Sequence, residues 1–454
     1  MKTKIVLFTA LFTSLASFSQ KQWTLKECVK HALENNITIK QNKLNITLAE
    51  KDVEIAKGNF LPNLSLSNSH SSTFGLSSGV SGVNTSQDRY STNFSLDAGG
   101  TIFNGFRNIN TKKQALLNIK GSKFDLAKIE NDISLNVVNS YLNVLFAKEN
   151  LAVAKTQAEI SKKQITRAKV QFEAGVIPKG DLLNVQSTAA NDVQNLVIQE
   201  NTLNLALLTL AQLLQVSSDN FNIASIIVNS PSTALLYDSS KKVFEKALTS
   251  RPEIDKAKLN LDNADLNIKL AKGAYLPTLR YSARAGTSYF TVFGEPDVTY
   301  VSDPITKIVK SVPNGFTTQL DNNLSYGIGL SLSVPIFSGF QTKNRVAKSV
   351  INKAQSEFAL ENQKLQLQQE IEKSFLDAKA AAKTFEAAQI SLEAQKEAFK
   401  NAQVSYDYGS MTQFDFDQVR NRLVNAQGVM IRSKYDYIFK VKVLKFYFGE
   451  SIVD

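Results

Sequence analysis

The chain carries one passage twice, and the spacing of the two copies limits what it can fold into. Ala56-Lys-Gly-Asn-Phe-Leu-Pro recurs as Ala271-Lys-Gly-Ala-Tyr-Leu-Pro, 215 positions further on. Ile102-Phe-Asn-Gly-Phe recurs as Ile336-Phe-Ser-Gly-Phe, 234 positions further on, and this second offset persists from Gly105 and Gly339 to Gly175 and Gly409. A repeated unit of over 200 residues is far too long for a solenoid repeat. Half of the chain therefore does not complete the structure alone.

Residues 1–19 read as an export signal. Lys2 and Lys4 precede an apolar run from Ile5 to Phe18, and Ser17 and Ser19 offer a small-residue cleavage site before Gln20. Cys28 is the only cysteine, so no internal disulfide forms, and no apolar lipoprotein box precedes it. No later run reaches the ~18 apolar residues of a membrane helix. That leaves barrels open, because their strands alternate and score weakly on hydropathy. The net charge of +11 is spread along the chain among acidic residues, the pattern of solvated helix faces rather than of a nucleic-acid footprint.

The first repeat occupies residues 20–238 and the second 239–454. Each opens with a helical segment, from Leu25 to Ile55 and from Lys241 to Leu270, and each segment stops at Lys-Gly before Leu-Pro (Gly58 and Pro62; Gly273 and Pro277). The period then changes to two. Tyr326, Ile328, Leu330, Leu332, Val334 and Ile336 alternate with small or polar residues, as do Leu279, Tyr281 and Ala283. This places strands at about 62–76, 88–103, 278–291 and 324–337. The second hairpin is 19 residues longer, since the offset grows from 215 to 234, and the surplus at Val292 to Asn323 is expected in an exposed loop. Proline-free spans at 105–173 and 339–407 predict two very long helices of about 100 Å. Each ends at a related turn, Phe172-Glu-Ala-Gly175…Asp181 and Tyr406-Asp-Tyr-Gly409…Asp415, and another helix follows (Leu182 to about Leu214; Phe416 to about Phe448).

Four strands of about 11 residues are long enough for a bilayer, yet the smallest membrane barrels need about eight strands. An open edge in lipid leaves backbone groups unpaired at several kcal/mol each. Several copies must then share one barrel, and dimer, trimer and tetramer all satisfy that count.

The duplicated helix–hairpin–helix plan, the Leu-Pro entry to each hairpin and the paired turns resemble the TolC-like outer-membrane efflux channels over essentially the whole mature chain. The resemblance implies an α+β membrane protein: a homotrimer with a 12-stranded β-barrel in the outer-membrane lipid of a Gram-negative bacterium, continuous with a periplasmic α-helical barrel. It implies a passive exit duct of a tripartite efflux or type I secretion system. The partners so implied are a periplasmic adaptor and an inner-membrane resistance–nodulation–division (RND) or ABC pump, with no nucleic acid and no cofactor. By position, Asp415 matches an acidic residue ringing the narrowest point, and Gln418 stands where the family's well-studied member has a second acidic ring. Tyr406 and Asp181 match a pair that bonds between neighbouring coiled coils. Met411 stands where that member has an arginine in the same lock. Gly175 and Gly409 mark the helix-turn tips for adaptor docking. The implied acidic ring would attract cations.

A periplasmic coiled-coil adaptor or scaffold is the alternative reading, and it leaves four membrane-length strands unexplained. An exported enzyme finds no supporting constellation. Asp415 and Asp417, two apart on a helix, face different sides. His31 and His70 with one cysteine make no metal cluster. Gly99-Gly100…Gly105 lacks the Lys-Ser/Thr of a phosphate loop.

Overall fold

A computed structural model describes residues 22–78, 84–86, 88–224, 237 and 239–452. The export-signal reading and most of the linker between repeats lie outside the described residues. In chain order the first repeat has β1 (Gln22–Trp23), α1 (Leu25–Asn35), α2 (Ile37–Gly58), β2 (Asn63–Thr73), β3 (Leu76–Ser78), β4 (Asn84–Ser86), β5 (Arg89–Asn104), α3 (Arg107–Glu173), α4 (Lys179–Leu214) and β6 (Asn222–Ile223). The second has α5 (Ser240–Ser250), α6 (Pro252–Gly273), β7 (Thr278–Val292), β8 (Val298–Ser302), β9 (Val309–Pro313), α7 (Phe316–Asn322), β10 (Ser325–Ser333), α8 (Gln341–Asp407) and α9 (Gln413–Phe448). The duplication is metrically close: α3 and α8 both have 67 residues, and α4 and α9 both have 36.

Three expectations need correction. The single helical segment opening each repeat is broken in two. Asn36 leaves the helix with ψ 130°, and in the second copy Arg251 is extended (ψ 124°) because Pro252 follows it. The last strand ends at Ser333 rather than near 337. Ser333 pairs with Thr278, the first residue of β7, so no ladder partner remains, and Pro335 has no N–H to offer. The surplus in the second hairpin is not simply loop. It folds into the β8–β9 ribbon and α7, pinned by Gln319, whose amide accepts from Phe290 N and donates to the carbonyls of Phe290 and Asn314.

The chain forms two compact units. The first comprises Met1–Asn45, Ser122–Lys258 and Ala359–Asp454. A capping box starts α1: the Thr24 hydroxyl accepts from Glu27 N, and the Glu27 carboxylate accepts from Thr24 N. Leu25, Cys28, Val29 and Ala32 then bury one face of α1 against Val137, Tyr141 and Leu145 of α3 and Leu210 and Leu214 of α4. The Tyr141 hydroxyl donates to Ala224 O just after β6, which pairs in parallel with β1. A second core joins Val243, Ala247 and Ile254 to Leu367, Ile371 and Leu444.

The second unit, Ile46–Gly121 and Leu259–Phe358, carries an antiparallel sheet in the order β10-β7-β5-β2. The middle pair, β5 with β7, joins the two repeats. One sheet face carries Leu64, Leu66, Phe94, Leu96, Ala283, Ala285, Tyr326, Ile328, Leu330 and Leu332; the other carries Ser, Gly, Asn, Arg and Asp. The apolar face is bare: Ile328 is 92% exposed and Leu66 78%. Among the described residues no helix is long and apolar enough to cross a membrane.

Each repeat leaves the sheet through the same left-handed turn, Gly105-Phe106 (φ 67° and 62°) and Gly339-Phe340 (φ 57° and 62°). In both, the aromatic three residues earlier packs edge-on against the turn aromatic: Phe103 on Phe106, Phe337 on Phe340.

Candidate functional site

The helix-turn ends are built twice by one backbone device. Gly175 and Gly409 both have φ 75°, a conformation that L side chains adopt only under strain. Around them Gly175 N bonds Phe172 O and Val176 N bonds Gln171 O, while Gly409 N bonds Tyr406 O and Ser410 N bonds Ser405 O. These are Schellman closures, which satisfy carbonyls that the helix end would otherwise orphan. Open space surrounds both glycines, so backbone conformation alone demands them. The starts of the returning helices differ. Pro178 precedes α4 without a side-chain cap, whereas the Thr412 hydroxyl accepts from Asp415 N (3.2 Å) and donates to its carboxylate (2.7 Å).

Asp415 is thus an exposed carboxylate in the first turn of α9, where the helix dipole favours a negative charge. Asp417 turns elsewhere. It accepts from Gln413 Nε2 at 2.9 Å and is half-buried, so the two acids point apart as their spacing requires. Gln418 is exposed, Met411 half-buried in the turn and Asp181 half-buried in the first turn of α4.

Tyr406 is the centre of this end. Its ring stacks on the fully buried Phe416 (4.6 Å, 19°), and the Arg167 guanidinium lies 5.0 Å from its centroid. Its hydroxyl donates to Gln413 rather than to Asp181. Burial raises its pKa against the opposing pull of Arg167, with Asp417, Asp407 and Asp181 adding to the rise, so it remains a donor at neutral pH. Arg167 also bonds Asp407, holding that carboxyl below the usual aspartate range, with help from Gln403 at 3.0 Å. Arg167 thus brings a cation to this end from the other repeat of the same chain.

Deeper in the first unit, Arg420 is only 2% exposed. Its Nη1 donates to Ser161 Oγ (2.8 Å) and Gln164 Oε1 (3.2 Å) and lies 3.4 Å from Asp192. Its Nε lies 3.7 Å from Asp417. Ser161 in turn donates to Asp192. Side chains from α3, α4, α8 and α9 thereby form one run: Tyr406, Gln413, Asp417, Arg420, then Ser161 and Asp192. Reading the sequence missed Arg167, Asp407, Gln413 and Arg420. Only Arg420 had a local signal, since Phe416, Arg420 and Leu423 follow the i, i+4, i+7 spacing of a buried stripe.

The Outer membrane efflux protein family model matches residues 28–215 and 243–450, one match for each repeat. The chain is 20% identical over 441 residues to the outer membrane efflux protein BepC of Brucella suis, covering 96% of this chain and 86% of that one. It is 23% identical over 446 residues to the outer membrane protein TolC of Escherichia coli, covering 95% of this chain and 83% of that one. Its fold matches the crystal structure of the Campylobacter jejuni CmeC outer membrane channel with a TM-score of 0.76 at 20% identity, covering 94% and 85%. The family model spans most of the chain, the fold is that of a solved channel, and the bare apolar sheet face needs lipid. The chain belongs to the outer membrane efflux protein family and is a TolC-like efflux or secretion channel of the outer membrane.

Proposed function

We propose that three copies of the chain share one barrel and one periplasmic tunnel, forming the passive exit duct of a tripartite efflux or type I secretion system in a Gram-negative envelope. The carrying observation is a surface used inside the chain and left bare outside it. The β5 edge of the first repeat pairs with the β7 edge of the second, and there Gly105 and Gly273 meet so closely that a Cβ on either would lie 2.2–2.5 Å from the other's carbonyl oxygen. The duplicated partners of those elements are β10, β2, Gly339 and Gly58. Both strands are sheet edges, and among the described residues a Cβ added at either glycine would meet nothing within 4 Å. A second copy supplies what each lacks, and three sets of four strands give a closed twelve-stranded wall.

The repeat offsets also supply a register for that seam. Leu96 faces Ala285 and Ala98 faces Ala283 inside the chain. Carried through the duplication, Leu330 faces His70 and Leu332 faces Asn68 of the next copy, and Ser331 faces Ser69. This register sets Leu330 and Leu332 beside the polar His70 and Asn68, on the face that carries Leu64 and Leu66.

At the helix-turn end, Gly175 and Gly409 carry the tips that meet a periplasmic adaptor, which links the duct to an inner-membrane RND or ABC pump. Three Asp415 carboxylates form the constriction beside Gln418, and Tyr406, Asp181 and Met411 border it. No catalytic step is assigned to the chain. The scaffold alternative is not favoured, because channel proteins match it along nearly its whole length. Heat-modifiable migration from outer-membrane fractions tests the reading: a trimer is expected, and a soluble periplasmic monomer would overturn it. An Asp181→Ala variant with unchanged single-channel conductance would remove that residue from the closed state.

A further inference from the structure

The polar face of the sheet is positively charged, although the implied constriction at Asp415 is negative. On this face the charged side chains of the four strands are Arg89, Arg280 and Arg284 against Asp97 alone. Asp97 lies 3.6 Å from Arg284 and neutralises one of the three. Arg89 lies 5.7 Å from the Phe290 ring centroid on the same face. Arg280 is exposed and has no ion pair among the described residues.

What surrounds Arg280 is a built concavity rather than a flat surface. A polar hollow of about 980 Å³ opens beside it, bordered by Ser65, Asp97, Arg107, Ser282, Ser331 and Ser333. Gly99 and Gly329 also lie on this face, where a larger side chain would reach into the space. Arg107, at the start of α3, donates to Asn104 O and adds a second cation to the wall of the hollow. The first repeat has Ser65 and Ser69 where the second has Arg280 and Arg284, so these charges belong to one copy of the duplication only.

From this geometry we infer that the barrel is an anion-attracting segment of the duct, and that its cargo class is molecules bearing carboxylate or phosphate groups. The inference rests on the trimeric barrel, in which the apolar face meets lipid and the polar face lines the lumen. Threefold repetition turns Arg280 into an uncompensated ring beside a ring of Arg284–Asp97 pairs, and a ring of arginine attracts anions in a narrow polar passage whose walls focus the field. Guanidinium groups bind carboxylate and phosphate through paired N–H donors. Hydroxyls of Ser65, Ser282, Ser331 and Ser333 give the bound group further donors.

The test uses the full-length trimer in planar bilayers, with tripolyphosphate added from each side in turn. From the barrel side it should block the wild-type current. Block should weaken at least tenfold in Arg280→Ser/Arg284→Ser, which installs the residues of the first repeat, and should return in Arg280→Lys/Arg284→Lys. The same loss is expected in an Asp415→Asn background, which separates the barrel from the constriction. A conducting channel blocked equally in wild type and the serine variant would overturn the inference and leave the duct standing. A wild-type trimer that conducts no ions at all would overturn the duct, and the inference with it.

Discussion

The seam within one chain and the bare edges outside it are duplicates of each other, yet they are not equally equipped. Both have the strand edges and the glycine turns, so both can make the sheet contact. At the helix turns the inner seam also carries polar clasps: Arg167 with Asp407, and Arg420 with Ser161 and Asp192. The duplicated positions on the outer side are Asn401 and Glu173 in place of Arg167 and Asp407, and Gln186 in place of Arg420. The sheet contact is thus written twice, while the ionic fastening of the coiled coils is written once. In a trimer, the fastened seam lies within each copy and the unfastened one between copies.

The largest effect is expected from Gly273→Ala. Its Cβ would sit 2.5 Å from Gly105 O and 2.9 Å from Arg107 Cγ; the side chain can swing aside but the backbone carbonyl cannot, so the variant should fail to accumulate in the outer membrane. The Cβ of Gly58→Ala, its duplicate, meets nothing within 4 Å among the described residues, so that variant should fold, losing trimer rather than monomer. Immunoblots of heated and unheated membranes separate the two outcomes; identical behaviour would erase the distinction between seams.

Arg420→Met comes next. Removing a buried cation strands Asp417 and Asp192, a loss of about 3–5 kcal/mol for a broken buried pair, read as a lower thermal midpoint of the detergent-solubilised protein. Gln186→Met at the duplicated position should leave that midpoint nearly unchanged. Arg167→Ala is smaller. Its ion pair is well exposed, and with the ring contact it contributes about 0.5–1 kcal/mol, or roughly a two- to fivefold rise in open-channel events. The smallest effect is on pH. Arg167 depresses the Asp407 pKa, so the clamp is complete above the ordinary aspartate range and is lost as pH falls through the depressed value. Opening attributable to this pair should therefore be flat from about pH 5 to 8 and appear only in stronger acid, and Arg167→Ala should abolish that acid component.

The architecture was legible because it rests on local signals. Proline-free spans, Lys-Gly stops and alternation of period two depend on backbone chemistry within a few residues. The breaks at Asn36 and Arg251 were harder to see, since the apolar spacing runs on across them and only Pro252 marks one of them. The end of β10 was set by the length of its partner β7, which β10's own alternation does not contain. At the turns, Gly175, Gly409 and the Asp415 position follow from the repeated motif. Arg167 and Asp407 meet from positions 240 residues apart, and no local pattern announces such a pair. Arg420 alone left a trace, a charge on an apolar stripe, which is the mark of a buried polar contact.

The central claim is that the next copy supplies what the outer edges lack, in the register set by the duplication. A Ser69→Cys/Ser331→Cys double variant tests it most directly, because the one native cysteine, Cys28, is buried. Mild oxidation of intact outer membranes should link three chains into a covalent trimer that survives boiling and dissolves on reduction. The off-register pair Ser65→Cys/Ser331→Cys should link poorly. Monomers cross-linked within themselves, or equal linking by both pairs, would contradict the account.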